Sequence, residues 1–502
     1  YASRALWALG AWGRVDEARE WLARIPAIVQ SRDTHSRLSA AAILAFGERN
    51  AEGLRMAQDA LSDPSTPPEM VLVALRVATS AAGFADQPGL MHALLVNWPP
   101  VPVEQVGPLY RFNQLNVMSY VALHAGDTDR LRALAAEAQS HGADRSLLLA
   151  QALSRMLVGL GHLWDGNPGR AVEVLHGPLL AAEREHGRRS MIACLLASIL
   201  AQAFVQLDQH DAARLLLANR LDVIERTGFP DNVLAAYDAL IHAALARGDE
   251  VSAMAALKGL DALAQRRQLP RLQLHTLAER IRLLALKGCN ETVAGLLPGL
   301  DALVDEFEPE VGRPFHDQAR LVAATTRAHA ALASGHLAEA DRQLDTAAVL
   351  AETTRRGRDA CMVKVLRAVV ARKRGESGAQ ALLLETINLA ALSGNVRLLA
   401  DTHPLALEMA RELEGGVVLS HASASMDAPD RKAHVSESGL LTPKEEEILG
   451  LLERGMSNKR IALTLGIGAE TVKWHLKNLF SKLSAGSREH AVERARLLGL
   501  VA

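Results

Sequence analysis

The apolar residues of this chain recur at helical spacing almost from end to end. Alternating runs of Val, Ile and Thr, which would predict strands, do not accumulate, and Ala and Leu dominate the apolar positions. The helical stretches are repeatedly interrupted by a short turn that contains Gly, Asp or Asn. We therefore expect an all-α protein with almost no sheet.

The turns recur at a regular interval, which indicates an internal repeat. The predicted turn residues are Gly13, Asn50, Asp86, Gly126, Gly166, Asp208, Gly248, Gly288, Gly335 and Gly375. From Gly126 onward the successive separations are 40, 42, 40, 40, 47 and 40 residues, with two helical stretches in each interval. Such a period is typical of stacked helix pairs. It predicts a helical-repeat, tetratricopeptide-like superhelical solenoid, in which alanines such as Ala18 and Ala340 follow the turn where the next helix packs closely.

The character of the sequence changes after residue 413. Residues 414–439 include Gly415-Gly416, several serines and Pro429 within a mixed polar run. This composition is typical of a flexible linker, and a coil of about 25 residues reaches on the order of 25 to 30 Å. We therefore divide the chain into a helical-repeat sensor or interaction domain (1–413), a linker (414–439) and a C-terminal domain (440–502).

The C-terminal domain carries start and stop signals for four helices. The segment Thr442–Glu445 combines an N-cap, a proline at the first helical position and a glutamate at the third. Ser457 is placed to cap a second helix, and Gly466 supplies the turn that follows it. The predicted helices span residues 443–454, 458–465, about 469–483, and a stretch beginning at Ser487.

The third of these helices has two distinct faces. Its core-facing positions, spaced i, i+4, i+7 and i+11, are Val472, Leu476, Leu479 and Leu483. Lys473, Trp474 and Lys477 remain on the opposite face. Lysines one turn apart can reach guanine O6 and N7 or phosphates, and an indole can contact thymine methyl groups. We therefore predict that this helix is a DNA recognition helix.

The segment resembles the LuxR family of helix-turn-helix regulators. The matching stretches are Leu441–Leu449, Gly455–Ala462 and Glu470–Leu483. Gly468 departs from the family pattern, since a serine usually caps the recognition helix there, and Ser484 stands where glycine is common. Gly caps a helix within a few tenths of a kcal/mol of Ser, so the resemblance still implies a four-helix DNA-binding domain.

The resemblance also implies roles for individual residues. Base contacts would be made by Lys473, Trp474 and Lys477. Phosphate contacts would be made by Ser457, Asn458, Lys459, Thr471 and Lys482. The fourth helix often pairs two monomers in this family, here through Ala491, Val492 and Ala495. The alternative is a solvated helix face with one stray aromatic, with Asn458 and Thr471 as ordinary cap or solvent residues.

A long helical array ahead of such a domain is similar to the large ATP-dependent LuxR regulators, the class that contains the maltose-regulon activator. In that class a nucleotide-binding module precedes a helical-repeat sensor. The phosphate loop G-x-x-x-x-G-K-[ST] occurs nowhere in this chain. Because the first residue is Tyr and a helical pattern starts at once, we expect that an upstream segment was removed. Any ATP site would belong to that segment, and we expect no cofactor in the chain itself.

The sensor interpretation predicts a small-molecule effector or a regulatory protein on the concave surface of the array. One helix carries uncharged hydrogen-bonding groups in a stripe, Tyr110, Asn113, Asn116 and Tyr120. The stripe could bind a small polar or aromatic ligand. Packing of the tyrosines between repeats explains it equally well, so both interpretations stay open.

Composition narrows the remaining function classes. The net charge is −2, yet residues 440–502 carry +3 and the remainder −5, so an anionic partner such as double-stranded DNA would bind the C-terminal end. The three cysteines are scattered, which predicts neither a metal site nor a disulfide framework. No apolar run reaches the roughly eighteen residues of a membrane span and no signal peptide is present, so we expect a soluble, cytoplasmic protein.

The sequence offers no support for an enzyme, because H-E-x-x-H, C-x-x-C and G-x-S-x-G are absent from it. We therefore predict a DNA-binding transcriptional regulator that acts as a homo-dimer or oligomer on DNA and contacts RNA polymerase. The alternative is a helical-repeat protein-interaction scaffold with a non-specific nucleic-acid-binding tail.

Overall fold

The structure, a computed structural model, describes residues 15–24, 33–45, 49–96, 108–140, 148–307, 313–414, 443–483, 485 and 487–497. These residues form α-helices joined by turns, and no strand occurs among them, which confirms the predicted all-α class. The helices of the array are α1 Val15–Arg24, α2 Thr34–Ala45, α3 Asn50–Ser62, α4 Pro68–Phe84, α5 Pro88–Val96, α6 Pro108–His124, α7 Thr128–Ser140, α8 Leu148–Trp164, α9 Pro168–His186, α10 Met191–Gln206, α11 His210–Leu217, α12 Leu221–Thr227, α13 Pro230–Ala246, α14 Glu250–Arg267, α15 Pro270–Leu286, α16 Asn290–Asp305, α17 Arg313–Ala333, α18 Leu337–Thr353, α19 Gly357–Arg374, α20 Ala379–Ser393, α21 Leu398–Thr402 and α22 Pro404–Glu414. The C-terminal helices are α23 Pro443–Glu453, α24 Asn458–Leu465, α25 Ala469–Leu483 and α26 Arg488–Leu497.

The predicted turn residues end helices by entering the left-handed backbone region. From Asp86 to Gly375 every one of them has a positive φ, between 58° and 81°. This conformation lets amides just past the helix end bond to carbonyls of its last turn, as Asp127 N–H does to Ala122 O at 2.9 Å. The exception is Asn50, which is the first residue of α3 rather than a turn residue. Gly13 lies outside the described residues.

Neighbouring helix pairs share their hydrophobic cores along the array. Ala18 and Ala340, predicted to sit at close helix contacts, are both fully buried. The buried clusters follow one another along the chain, over residues 18–81, 82–235, 194–272, 274–330 and 321–410. Because each cluster joins mainly consecutive helices, the array is a tetratricopeptide-like solenoid. None of the described helices is both long enough and apolar enough to cross a bilayer.

A buried ionic cluster joins parts of the array that are far apart in sequence. Arg271 of α15 places Nε 2.5 Å from Asp86 Oδ1, in the turn after α4. Its Nη1 lies 3.1 Å from Asp231 Oδ1 of α13, and the Tyr120 hydroxyl of α6 donates to Asp231 Oδ2 at 2.9 Å. We name these four residues, Asp86, Tyr120, Asp231 and Arg271, the clasp.

A second set of contacts closes the same side of the superhelix. The Gln318 amide of α17 donates to the His124 carbonyl at the end of α6, at 2.6 Å. A Cβ on Gly126 would lie 2.7 Å from the Thr354 carbonyl oxygen, so the turn after α6 touches the end of α18. The array therefore turns back on itself and encloses its inner surface.

The C-terminal helices have a core of their own. Its buried members come only from residues 448–495, among them Ile448, Leu449 and Leu452 as predicted. Helix α22 ends at Glu414, and residues 415–442 lie outside the described residues. The linker and the domain boundaries at either end of it therefore stay predictions.

Candidate functional site

The C-terminal helices begin and end where their capping signals predict. The Ser457 hydroxyl accepts the Arg460 amide at 3.4 Å and caps α24, and Gly466 ends this helix with a φ of 63°. Ser487 caps α26 in the same way, accepting the His490 amide at 3.1 Å. The predicted cap Thr442 lies outside the described residues. Hydrogen bonds between residues close in sequence therefore set where these helices begin and end, and the short turn between α24 and α25 follows from them.

Helix α25 separates a buried stripe from an exposed one. Its four predicted core positions, Val472, Leu476, Leu479 and Leu483, are all at most 5% exposed. Lys473 and Lys477 are exposed, and the Trp474 side chain is 60% exposed although it is a large aromatic group. At 100° per residue these three side chains leave the helix within about 100° of one another. The sequence-predicted base-contact residues thus form one protruding face with two ammonium groups and an indole.

Four of the five predicted phosphate contacts lie at the starts of α24 and α25. Ser457, Lys459 and Thr471 are exposed, and Asn458 is half-buried. The side chain of Lys482 is outside the described residues.

A residue that the sequence reasoning missed holds Asn458 in place. Arg488 of α26 donates from Nη1 to Asn458 Oδ1 at 2.5 Å, and its Nη2 donates to the Met456 carbonyl. The Asn458 carbonyl is therefore occupied, while its amide NH₂ stays available as a donor. No local motif links residues 30 positions apart, so only the fold reveals this contact.

Two of the predicted dimer contacts on the fourth helix are buried within their own domain. Ala491 and Ala495 are 0% exposed and belong to the core of their own domain. Their role in dimerisation stays a prediction, and this burial argues against it. Val492 is half-buried, and its predicted role in dimerisation stays a prediction.

Two residues of the polar stripe on α6 make contacts inside the array. The buried Tyr120 hydroxyl belongs to the clasp, and the buried Asn116 amide donates to the Ala150 carbonyl at 2.8 Å. The cavity beside them measures about 40 Å³, room for no more than a few waters. Asn113 is half-buried, and the side chain of Tyr110 is outside the described residues. The contacts of Asn116 and Tyr120 favour packing between repeats over effector binding.

A larger cavity of about 210 Å³ lies on the inner side of the array. Helices α13, α14, α15, α17 and α19 line it, together with α21. Helix α15 contributes one polar stripe at i, i+4, i+8 and i+11, formed by Arg271, His275, Glu279 and Arg282. Phe315 and several leucines supply an apolar wall. We name this space the central cavity; the stripe on α15 was readable in the sequence and could have pointed to it.

Burial and pairing set the charges in the central cavity. Burial alone would raise the pKa of Glu279, but the Arg282 guanidinium, bonded at 2.6 and 2.8 Å, outweighs it and lowers that pKa to about 2. Burial and the neighbouring Glu279 raise the pKa of Asp238 to about 7. Burial, followed by the Arg271 charge, lowers the pKa of His275 to about 4, so this imidazole is neutral. Among the described residues no group of three or more His, Cys, Asp or Glu is arranged to hold a metal ion.

Residues 439–495 match the family described as bacterial regulatory proteins, luxR family. The HTH-type transcriptional regulator AlkS of Alcanivorax borkumensis is 41% identical to this chain over 75 residues. Those residues are 15% of this chain and 9% of AlkS, so the match spans less than a tenth of that relative.

Two solved structures of helical proteins are similar to the chain at low identity. A Rap protein complexed with competence and sporulation factor aligns with a TM-score of 0.47 and 12% identity, over 77% of this chain and 99% of Rap. Yeast Tom70 aligns with a TM-score of 0.32 and 12% identity, over 85% of this chain and 91% of Tom70.

Proposed function

Because residues 439–495 form a LuxR-family helix-turn-helix domain, we propose that the chain is a transcription regulator in which α25 reads operator DNA and the helical array senses an effector. The observation that carries the DNA-reading part is the exposed face of Lys473, Trp474 and Lys477 opposite a fully buried stripe. A tryptophan that is 60% exposed gains apolar contact when it enters a groove.

Backbone binding in this proposal comes from the ends of α24 and α25. Ser457, Lys459 and Thr471 are exposed, and Asn458 keeps its NH₂ donors. With the charge of +3 on residues 440–502, these groups favour a phosphate backbone and predict salt-dependent binding. Lys482 is proposed as a further phosphate contact.

Sensing is proposed for the enclosed side of the array. The central cavity and the clasp share Arg271, so an occupant of the cavity lies against a residue that closes the superhelix. A ligand that binds the closed form better than an open one would shift the array toward closure. The proposal further includes a regulatory partner on the array, pairing of two copies on DNA and contact with RNA polymerase. An ATP-binding module upstream stays an expectation from the resemblance.

The test is selection of operator DNA by the full chain, followed by competition with random DNA across a salt series. Lys477→Ala removes a proposed base contact and should cost about 1 to 3 kcal/mol on the selected site, while relaxing preference at one position. Trp474→Ala should act similarly through lost apolar contact. Lys444→Ala is the matched control, because Lys444 is paired with Glu447 at 2.8 Å on α23. This variant should bind selected and random DNA almost as tightly as the wild type.

Lys482→Ala tests contact with the DNA backbone separately from contact with the bases. Loss of a phosphate contact should weaken all sequences alike and lower the salt slope by about one. If Lys477→Ala, Trp474→Ala and Lys482→Ala all weaken selected and random DNA equally, α25 does not read bases. A chain that selects no sequence at all would instead be the scaffold with a non-specific tail.

A further inference from the structure

One histidine of the central cavity has hydrogen-bonding capacity that the protein does not use. His329 of α17 is 3% exposed and lines the cavity, and neither ring nitrogen has a hydrogen-bond partner among the described residues. Burial, followed by the nearby Arg282 charge, lowers its pKa to about 3, so the ring is neutral with one N–H donor and one acceptor. A buried polar group without a partner costs about 1 to 3 kcal/mol, which a bound ligand could relieve.

Two arginines of the cavity bond to no carboxylate in the described part of the chain. Arg356 and Arg358 stand at the N-terminal end of α19, an 18-residue helix whose dipole adds positive potential there. The Arg356 guanidinium donates to the neutral Gln318 amide at 2.7 Å and lies 3.3 Å from the centre of the Trp164 ring. Burial lowers the pKa of Arg356 to about 10, and the Asp359 and Asp231 carboxylates offset only part of that effect. The Arg358 Nε is buried and has no hydrogen-bond partner in the described part of the chain.

Two other cations and one carboxylate that line the cavity are already paired. Arg271 is bonded to the two carboxylates of the clasp, and Arg282 is bonded to Glu279. Asp401 accepts from Arg397 at 3.0 Å. Asp238, which lies near Arg358, is held largely by burial at a pKa of about 7 and therefore offsets that cation only in part near neutral pH. Asp359 also lines the cavity and acts on Arg356, so the cationic group left without a partner is the Arg358 Nε.

Building on the proposed function, we propose that the effector is a small organic carboxylate bound in the central cavity. Its anionic group pairs with the Arg358 guanidinium, which offers a planar fork for a carboxylate. His329 supplies a neutral hydrogen bond, and the hydrocarbon part packs against Phe315 and the leucines of the wall. A volume of about 210 Å³ is that of roughly seven waters, so the ligand is a short or monocyclic acid rather than a peptide or a nucleotide.

The experiment is calorimetric titration of the full chain with butyrate, hexanoate, octanoate and benzoate, each beside its uncharged amide. We expect at least one acid to bind at least tenfold more tightly than its amide, because the two differ only in the charged group. Arg358→Gln should weaken that acid about ten- to a hundredfold, the range of a lost charge-assisted hydrogen bond. Arg358→Lys, which keeps the charge and loses the fork, should fall between. Arg355→Gln, an exposed position three residues earlier, is the matched control and should bind like the wild type.

The inference would be overturned by equal binding of acid and amide, by unchanged acid affinity in a folded Arg358→Gln variant, or by no binding of any acid. Inorganic phosphate is titrated in parallel, and tighter binding of phosphate than of every acid would also reject a carboxylate. Operator selection by the wild-type chain without acid is a separate readout. If the chain selects DNA and binds no acid, only the ligand assignment fails; if it selects no DNA, the proposed function fails.

Discussion

Removing the central cation of the clasp is the perturbation with the largest expected effect on the array. Arg271→Met keeps most of the apolar stem but takes the positive charge from two buried carboxylates. Asp86 and Asp231 are 4% and 5% exposed, and both bond to Arg271. Breaking a buried ion pair on one side typically costs about 3 to 5 kcal/mol, because the remaining charge is left without compensation.

The loss should depend on pH with a definite sign. Burial opposes ionisation of Asp231, but the Arg271 charge outweighs it and holds the pKa of Asp231 well below 3.8 in the folded wild type. The stability that the Asp231–Arg271 pair adds is fully present above the ordinary pKa of an aspartate. It is lost only as pH falls through the lower pKa of Asp231 in the folded state. Burial raises the pKa of Asp86 even beside Arg271. Without the guanidinium both carboxyls take up protons more readily, so the deficit of the variant is largest near neutral pH and shrinks toward about pH 4.

The assay is urea denaturation followed by far-UV circular dichroism at several pH values. Arg327→Met is the matched control, because the Arg327–Asp301 pair is on the surface and should contribute only about 0 to 1 kcal/mol. Arg271→Met combined with Asp86→Asn should recover part of the loss. A deficit no larger than that of the control, or one that does not change between pH 4 and neutral pH, would refute the clasp as a stabilising closure of the superhelix.

Three further predictions address the domain, the closure and the cavity. Residues 440–502 should fold alone, since their core is self-contained, and circular dichroism of the fragment should report four helices rather than a coil. Gly126 and Gly248 both have a φ near 72°, so replacing either with Ala should cost about 1 to 2 kcal/mol of backbone strain. Only at Gly126 would the added Cβ also meet a carbonyl oxygen at 2.7 Å, so Gly126→Ala should be the less stable variant. Equal urea midpoints for the two variants would contradict the closing contact. Burial raises the pKa of Asp238 to about 7, so the folded state loses stability as pH rises from about 4 to 7. Asp238→Asn should therefore raise the Tm at pH 8 but not at pH 4. The control Asp305→Asn, at an exposed position, should change the Tm at neither pH.

Local spacing in the sequence determined the helices, the period of the array and the exposed face of α25. Turn residues such as Gly126 and Asp208 were predictable because a helix ends where the chain enters the left-handed region. The caps at Ser457 and Ser487 and the buried stripe of α25 follow from bonds and packing within a few residues. These features depend on neighbours in sequence, so a pattern alone predicts them.

Partners between distant residues were decided only by the tertiary structure. Asp86 and Arg271 are 185 residues apart, and nothing local links them until the superhelix turns back on itself. The same closure turned Tyr120 from a candidate ligand contact into a buried donor and enclosed the central cavity around His329. Ala491 faces inward because of how α26 packs on its domain, which its small apolar side chain could not reveal. Helical periodicity tells which stripe of a helix is apolar, but the curvature of the whole array selects what each polar side chain meets.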